Sequence, residues 1–320
     1  MARSGSSKRS SPGTRALVRA AAAATVVASV AVPLIRRRRH IPASVTIAAT
    51  AAGPLAMTVL WPRSKMRDAV LFTQQMWGFV MVHELPYDNP QRLRDRLRSH
   101  YPIAADRVLG GGELPTLRLQ RALAGLGRSN LLDRALTWAH WLWFLEPHLA
   151  MIWILVRHND RFPRAARQLA ATYDIGCVFY FLVPTAPPWW SSEQGLIEGD
   201  LRRIMVEVGE QTWGRAWERM YDSLGGNPWA AMPSLHFATS LMVAIQLSEA
   251  GPVEGAVGWG YALTLGFALV YLGEHYVTDL AAGALLVAAV RRGEPFVEPL
   301  VLKVNRALQR LERTAVAQRE

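Results

Sequence analysis

Two short strings, Pro233-Ser234-Leu235-His236 and Gly273-Glu274-His275-Tyr276-Val277-Thr278-Asp279, lie at the ends of apolar segments and carry the ionisable groups on which the interpretation of this chain depends. His275 and Asp279 are four residues apart, so on a helix both side chains share one face. The carboxylate can then accept a hydrogen bond from one ring nitrogen, which leaves the other nitrogen basic. The spacing therefore predicts an oriented nucleophile or base.

The first string predicts the start of a helix. His236 follows Pro233 by three residues, which places it in the first helical turn. Ser234 and the nearby backbone N–H groups would form an anion site at the helix N-terminus, with an imidazole beside the bound phosphate. Two histidines can divide the work of phosphoryl transfer, one attacking phosphorus and the other protonating the departing alkoxide. The two strings together therefore predict phosphoryl transfer at a membrane surface.

The composition indicates a membrane protein. The chain is 51% hydrophobic, and its apolar residues fall into blocks of about 20 residues rather than into amphipathic stripes. The formal net charge of +11 comes from arginine clusters beside those blocks, which fits anionic lipid headgroups better than nucleic acid. The single cysteine, Cys177, lies in an apolar segment, so a disulfide framework and a cysteine metal site are excluded.

Seven segments are predicted to span a membrane or to enter it. They are residues 16–35, 41–61, 137–156, 169–190, 231–247, 253–273 and 275–290. The fold class predicted from them is an all-α integral membrane protein with a six-helix core bundle, an N-terminal hydrophobic segment and amphipathic helices on the outer face.

Five regions follow from this division. They are a basic flexible tail (1–15), an N-terminal hydrophobic hairpin (16–61) whose second half joins the core bundle, an amphipathic interfacial segment (62–136), a catalytic transmembrane core (137–292) and a basic cytoplasmic tail (293–320). The stretch 69–82 is short and interrupted by Gln74 and Gln75, so it is expected to lie at the interface rather than to span.

The short basic loops predict the orientation. The arginines at 36–39, 157–167 and 291–292 fall on one side if the last six segments alternate, and the positive-inside rule makes that side cytoplasmic. Both histidine strings then face outward from the cell membrane. The arginine-rich interfacial segment would also lie outside, which opposes this orientation.

The chain resembles the type 2 phosphatidic acid phosphatase superfamily, and within it the inositolphosphotransferase branch that contains the fungal inositol phosphorylceramide synthases. The resemblance rests on three strings in the same order. They are Pro184-Thr185-Ala186-Pro187-Pro188-Trp189-Trp190, Met232-Pro233-Ser234-Leu235-His236 and Tyr271-Leu272-Gly273-Glu274-His275-Tyr276-Val277-Thr278-Asp279. It implies that His275 forms a phosphohistidine, that Asp279 orients it, and that His236 acts first as acid and then as base.

The departures from the phosphatase pattern favour transfer over hydrolysis. Phosphatases of the superfamily usually carry a Ser-Arg pair upstream of the last histidine, and this chain has Ala268 and Leu269 there. The inositolphosphotransferase branch lacks the same arginine, but often has a histidine where this chain has Glu274. The residues predicted to bind substrate are Ser234, Pro187, Trp189, Trp190, Arg202, Arg203 and Glu274, with the two arginines as candidate cations for the phosphate.

The resemblance leads to a lipid phosphotransferase that moves a phosphoalcohol headgroup, with inositol phosphate from phosphatidylinositol as the first candidate, onto a lipid hydroxyl. The alternative is a phosphatase of lipid phosphate or polyprenyl diphosphate that uses the same residues. The predicted partners are phospholipid or polyprenyl phosphate substrate and membrane lipids, with no nucleic acid, no cofactor and no metal. The oligomeric state is left open.

Other classes of protein were weighed against this interpretation. Glu274, His275, Asp279 and His236 could bind a divalent metal, but the chain has no His-Glu-x-x-His string. A catalytically silent transporter or scaffold would also place polar residues inside a bundle. Glu146 and His148, which flank Pro147 within a predicted span, would serve either a functional site or a kinked helix that pairs with its neighbours.

Overall fold

The computed structural model describes residues 12–125, 128–217 and 226–315, and within them every regular element is a helix. Residues 1–11 of the predicted tail 1–15 and residues 316–320 of the predicted tail 293–320 lie outside the described residues. The helices are α1 Pro12–Arg39, α2 Ala43–Leu60, α3 Lys65–Glu84, a 3-10 turn Leu85–Asp88, α4 Pro90–Arg94, α5 His100–Leu109, α6 Pro115–Leu123, α7 Leu131–Leu142, α8 Glu146–Arg157, α9 Phe162–Leu182, α10 Pro188–Glu193, α11 Ile204–Trp213, α12 Leu235–Ala250, α13 Pro252–Tyr271 and α14 Val277–Ala315.

The chain divides into two compact units. One contains Met1–Val82 and Gly293–Glu320, and the other contains His83–Arg292. In the first unit α1, α2 and α3 meet around Ser29, whose hydroxyl accepts a hydrogen bond of 2.9 Å from the Gln74 amide. A Cβ on Gly53 of α2 would lie 2.4 Å from the Ser29 Oγ, so only glycine permits this close approach.

The second unit is a bundle whose helices approach through small residues. A Cβ on Gly258 of α13 would lie 2.8 Å from the Cα of Ala244 in α12. A Cβ on Gly283 of α14 would lie 2.8 Å from the carbonyl oxygen of Ser234, at the start of α12. Small residues let helices in a membrane pack closely, because van der Waals contact must replace the hydrophobic driving force there.

Among the residues that the structure describes, three helices are long and apolar enough to cross a membrane, namely α1 from Gly13 onward, α2 and α13. A fourth span results if α7 and α8, which are bent by 52° at residues 143–145, cross as one unit. The chain is therefore an all-helical protein with several membrane-compatible helices, and the six-span core stays a prediction. Helix α12 has 16 residues, and at 1.5 Å per residue it falls short of the roughly 30 Å hydrocarbon core.

The predicted interfacial segment is helical through most of its length. Residues 69–82 belong to the 20-residue helix α3, and their placement at the interface stays a prediction. Gln74 is buried by its contact with Ser29, which explains why it is tolerated there. Beyond α3, the short helices α4 to α6 belong to the second unit.

Candidate active site

The first histidine string begins helix α12. The Met232–Pro233 peptide bond is cis, and the Pro233 carbonyl accepts a hydrogen bond of 2.9 Å from the Tyr180 hydroxyl. Ser234 is the N-cap, and its fully buried hydroxyl accepts the N–H of Phe237 at 3.3 Å. His236 therefore lies in the first turn, where the sequence predicts it. The anion contact predicted for Ser234 stays a prediction, since its hydroxyl caps the helix.

The second string is a turn rather than the start of a helix. Helix α13 ends at Tyr271, and Gly273 takes a left-handed φ of 80°. The N–H groups of Glu274 and His275 both donate to the Leu269 carbonyl, at 3.0 and 3.1 Å, as at many glycine-terminated helices. His275 thus precedes helix α14, which begins at Val277. The expectation that His275 and Asp279 lie on one helical face is wrong, because His275 lies before the helix. The expected contact between the two side chains is nevertheless made.

The two histidines and the aspartate form a continuous chain. His275 Nδ1 donates to Asp279 Oδ2 at 3.2 Å, and His275 Nε2 lies 3.2 Å from Nδ1 of His236. His275 and Asp279 are 3% and 0% exposed. Because the carboxylate accepts the Nδ1 proton, Nε2 keeps its lone pair and faces the second imidazole. This arrangement provides one nucleophilic nitrogen with a second histidine in contact with it.

The backbone holds the two helix starts against each other. The N–H of Ser234 donates to the carbonyl of Asp279 at 3.0 Å, and Gly283 provides the close approach one turn later. The Trp143 ring packs on His236 with centroids 4.2 Å apart, and its indole N–H donates to Thr239 at 2.9 Å. His236 is therefore held by ring packing on Trp143 in addition to its contact with His275.

The proline-rich string adjoins both histidine strings. Thr185 pairs with Ala230 in an isolated parallel bridge, which places residues 184–190 beside the approach to Pro233. Pro187 is buried and precedes α10, and the Trp189 N–H donates to the Gly273 carbonyl at 3.0 Å. Trp190 packs instead on Trp229, with ring centroids 6.0 Å apart. Of the two tryptophans, Trp189 is the one bonded to the turn that carries His275.

The two candidate cations are placed differently. Arg202 forms an ion pair with Glu207 and donates to the Gly125 carbonyl. The Arg203 guanidinium lies 3.7 Å above the Trp189 ring and donates to Glu193 at 3.3 Å. Since Trp189 is bonded to Gly273, these contacts favour Arg203 over Arg202 as the group that meets a phosphate at His275.

Glu274 is buried in the turn beside the site. Burial raises the pKa of its carboxyl, and this outweighs the lowering by the charges of Arg203 and His275 and by a hydrogen bond from the Trp189 side chain. Its Oε1 atom has no hydrogen-bond partner within the described residues. Glu274 therefore interacts with the charge of Arg203 and with the Trp189 side chain, and Arg203 in turn lies over the Trp189 ring.

Several residues of the site were not found from the sequence. His140 packs on His236 with centroids 5.0 Å apart, and His83 packs on Tyr180 at 5.4 Å. Their signal was ionisable character within or beside apolar stretches, the same criterion that pointed to Glu146. Glu146 accepts a hydrogen bond of 3.4 Å from the Ser240 hydroxyl at the bend between α7 and α8.

Three buried polar side chains from the interfacial segment bind the turn at 271–278. Asp106 accepts the N–H groups of Val277 and Thr278, Gln120 donates to the Tyr271 carbonyl, and Asp133 accepts the Tyr271 hydroxyl. Nothing in the local sequence marks these contacts with the turn, because in each of them the two residues are more than 130 positions apart. No group of three or more metal-ligating side chains is placed to hold an ion in the ranges 12–125, 128–217 and 226–315.

Comparison with known proteins identifies the family. Residues 116–291, more than half of the chain, match the sequence profile of the PAP2 superfamily. The inositol phosphorylceramide synthase catalytic subunit aur1 of Schizosaccharomyces pombe is 26% identical over 194 residues, which are 54% of this chain and 44% of that protein. The inositol phosphorylceramide synthase of Candida albicans is 29% identical over 125 residues, which are 36% of this chain and 26% of that protein.

The chain spans less than half the length of either curated relative. No solved structure matches it. The stretch that matches the PAP2 superfamily contains His236, His275 and Asp279, whereas Asp106 lies before it.

Proposed function

This chain belongs to the PAP2 superfamily, as its motifs predicted, and on that premise we propose that it is a membrane phosphotransferase. It would move a phosphoalcohol headgroup, with inositol phosphate from phosphatidylinositol as the first candidate, onto a lipid hydroxyl. The observation that carries the proposal is the chain of contacts from Asp279 through His275 to His236, with both links at 3.2 Å. The similarity to inositol phosphorylceramide synthases favours this class of donor.

The proposed reaction has two balanced steps. In the first, His275 Nε2 attacks phosphorus, the bond from phosphorus to the diacylglycerol oxygen breaks, and His236 gives its proton to the departing alkoxide. In the second, neutral His236 takes the proton of the acceptor hydroxyl, whose oxygen attacks phosphorus and breaks the P–N bond. His275 and His236 return to their starting states, and the Nδ1 proton stays on His275, hydrogen-bonded to Asp279, throughout.

Substrate entry requires the two imidazoles to separate. Their nitrogens lie 3.2 Å apart, so the phosphoryl group must insert between them. Arg203, held over Trp189, would neutralise charge on the phosphate oxygens, and Glu274 would limit the mobility of that guanidinium. The superfamily's phosphatase positions are filled by Ala268 and Leu269, both fully buried, so they offer no competing cation.

We also propose that the protein is a multi-pass component of the cell membrane with this site at the outer side. The basic stretches at 36–39, 157–167 and 291–292 support this orientation, because the positive-inside rule places them on the cytoplasmic side and the two histidine strings on the other side. Within this proposal, Pro187, Trp190 and Ser234 support the site without touching the phosphate. Pro187 is buried before α10, Trp190 packs on Trp229, and Ser234 caps α12. The second candidate, hydrolysis with water as acceptor, uses the same three catalytic residues.

The test follows a labelled headgroup in membranes. Wild-type, His275→Ala and His158→Ala membranes are incubated with headgroup-labelled phosphatidylinositol and a total lipid extract, and the products are read by mass spectrometry. His158 is the matched control. It is the C-cap residue of α8, and its backbone N–H donates to the Ile154 carbonyl, at the other end of the helix from Glu146. Label in a new lipid, lost only in His275→Ala, supports transfer and identifies the acceptor.

Two other outcomes contradict the proposal. Label in water-soluble inositol phosphate assigns hydrolysis instead of transfer, and unchanged transfer in His275→Ala refutes the histidine mechanism. A rapid acid-free quench of wild-type protein, followed by mass spectrometry of the peptide that contains His275, provides a direct test of the covalent intermediate. Its absence under conditions of steady turnover contradicts the two-step reaction.

A further inference from the structure

The helix that follows His275 is capped by a carboxylate from a distant part of the chain. Asp106 Oδ2 accepts the N–H of Val277 at 2.8 Å, and Asp106 Oδ1 accepts the N–H of Thr278 at 2.9 Å. The two partners are separated from Asp106 by 171 and 172 positions in the sequence. The side chain of Asp106 is 0% exposed, so both bonds are shielded from water.

The first turn of α14 needs this external cap. The first N–H groups of a helix have no partner within it, and Ser, Thr, Asp or Asn usually supplies one from the N-cap position. Here the residues before Val277 are His275 and Tyr276, neither of which serves this purpose. Asp279 Oδ2 accepts the N–H of Tyr276 at 2.9 Å while it accepts His275 Nδ1. Asp106 and Asp279 therefore divide three successive N–H groups between them.

This division leaves Asp279 Oδ2 with only the first N–H of the three and with His275. Without Asp106, the N–H groups of Val277 and Thr278 would lose their buried acceptor, and they would attract the Asp279 carboxylate away from His275. Apolar packing keeps Asp106 in place, because Ile103 of the same helix α5 lies in one buried cluster with Tyr276 and Leu117. The Tyr276 hydroxyl is also tied to the Ser191 hydroxyl at 3.1 Å.

We infer that Asp106 is a positioning residue that keeps the Asp279 carboxylate directed at His275 by occupying the two following N–H groups of the helix. The inference rests on the proposed function for its catalytic consequence. Asp106 lies outside the stretch 116–291 that matches the superfamily, so this contribution comes from the interfacial segment 62–136 and from before the matched stretch. It touches neither the histidines nor a phosphate bound between them, so it acts through Asp279.

The test compares Asp106→Ala and Asp106→Asn in purified full-length protein. Asn keeps the shape and one acceptor oxygen, so it reports on positioning even if the alanine variant is too unstable to purify. Asn89→Ala is the matched control, because Asn89 also caps a helix, accepting the Arg92 N–H at 3.0 Å, but does so on the surface at α4. We expect kcat for headgroup transfer to fall on the order of 10²-fold in Asp106→Ala and about 10-fold in Asp106→Asn.

KM is expected to stay within about twofold in both variants, because uniform substrate binding is not changed. The Asn89→Ala control should keep both constants. A rise in KM with unchanged kcat, or an unchanged kcat in folded Asp106→Asn, overturns the inference.

A second readout does not depend on activity. The hydrogen-bonded Nδ1 proton of His275, assigned by its loss in His275→Ala, is followed by proton NMR of protein carrying nitrogen-labelled histidine in detergent. We expect this signal to move or broaden in Asp106→Asn and to stay in Asn89→Ala. If wild-type protein transfers and hydrolyses nothing while the signal still depends on Asp106, the proposed function fails and the positioning stands. If activity requires His275 but the signal ignores Asp106, only the positioning fails.

Discussion

Replacing Asp279 by asparagine isolates the charge of the site from its geometry. Asp279 Oδ2 accepts both His275 Nδ1 and the Tyr276 N–H, whereas Oδ1 is buried and has no hydrogen-bond partner among the described residues. An asparagine oxygen can take the Oδ2 position and keep both bonds. Its NH₂ group then occupies the Oδ1 position, so the His275 tautomer is preserved while the negative charge is lost.

The magnitude follows from the charge that develops on His275. In the proposed reaction, attack on phosphorus makes this imidazole cationic, and its ring lies next to a carboxylate 3.2 Å from Nδ1. Two unit charges about 4 Å apart interact by about 4 kcal/mol at an effective dielectric constant of 20. At 1.36 kcal/mol per factor of ten, the loss of this interaction in the transition state lowers kcat by about 10³-fold.

Initial rates of headgroup transfer in detergent, measured over a range of donor concentration, provide the assay. KM should change by less than about threefold, because the carboxylate stabilises the transition state more than the bound substrate. Asp160→Asn is the control, since Asp160 is exposed and follows the C-terminal end of α8, whereas Glu146 begins that helix. A fall in kcat of less than about fivefold in folded Asp279→Asn would refute the assignment of charge stabilisation to Asp279.

Three further changes test the surroundings of the site. Arg203→Gln should raise KM about tenfold through loss of a phosphate contact, and steady-state kinetics that show a larger rise in Arg202→Gln would contradict the choice of cation. Because burial raises the pKa of Glu274, the folded chain keeps that proton at pH values where the unfolded chain has lost it, so wild-type stability falls as pH rises through this window. The melting temperature of Glu274→Gln should therefore exceed that of wild type by more at neutral than at acidic pH, and a constant difference would count against it. Gly283→Ala places a Cβ 2.8 Å from a backbone carbonyl and should lower the free energy of unfolding by about 1–3 kcal/mol, whereas Gly260→Ala, which meets nothing within 4 Å, should not lower it. Equal unfolding curves for these two glycine variants would mean that the close approach is not needed.

The features that the sequence predicted are those with local physical causes. An apolar block of about 20 residues is enough to identify a membrane-compatible helix, because length and hydropathy are properties of the segment itself; α1, α2 and α13 are examples. Pro233 and Ser234 mark the start of a helix because a cap needs only neighbours within one turn. The spacing of His275 and Asp279 brings a carboxylate within reach of an imidazole even though the turn around Gly273 is not helical.

By itself, therefore, the sequence determined an all-helical membrane-compatible chain, its superfamily and its three candidate catalytic residues. Only the tertiary structure decided that Arg203 lies over the Trp189 ring, that His140 packs on His236, and that Asp106 caps α14. These contacts join residues far apart in the chain, and each depends on how α5, α7 and α10 pack around one turn. Buried polar groups must find hydrogen-bond partners, but which partner they find is decided by packing and not by the spacing of residues along the chain.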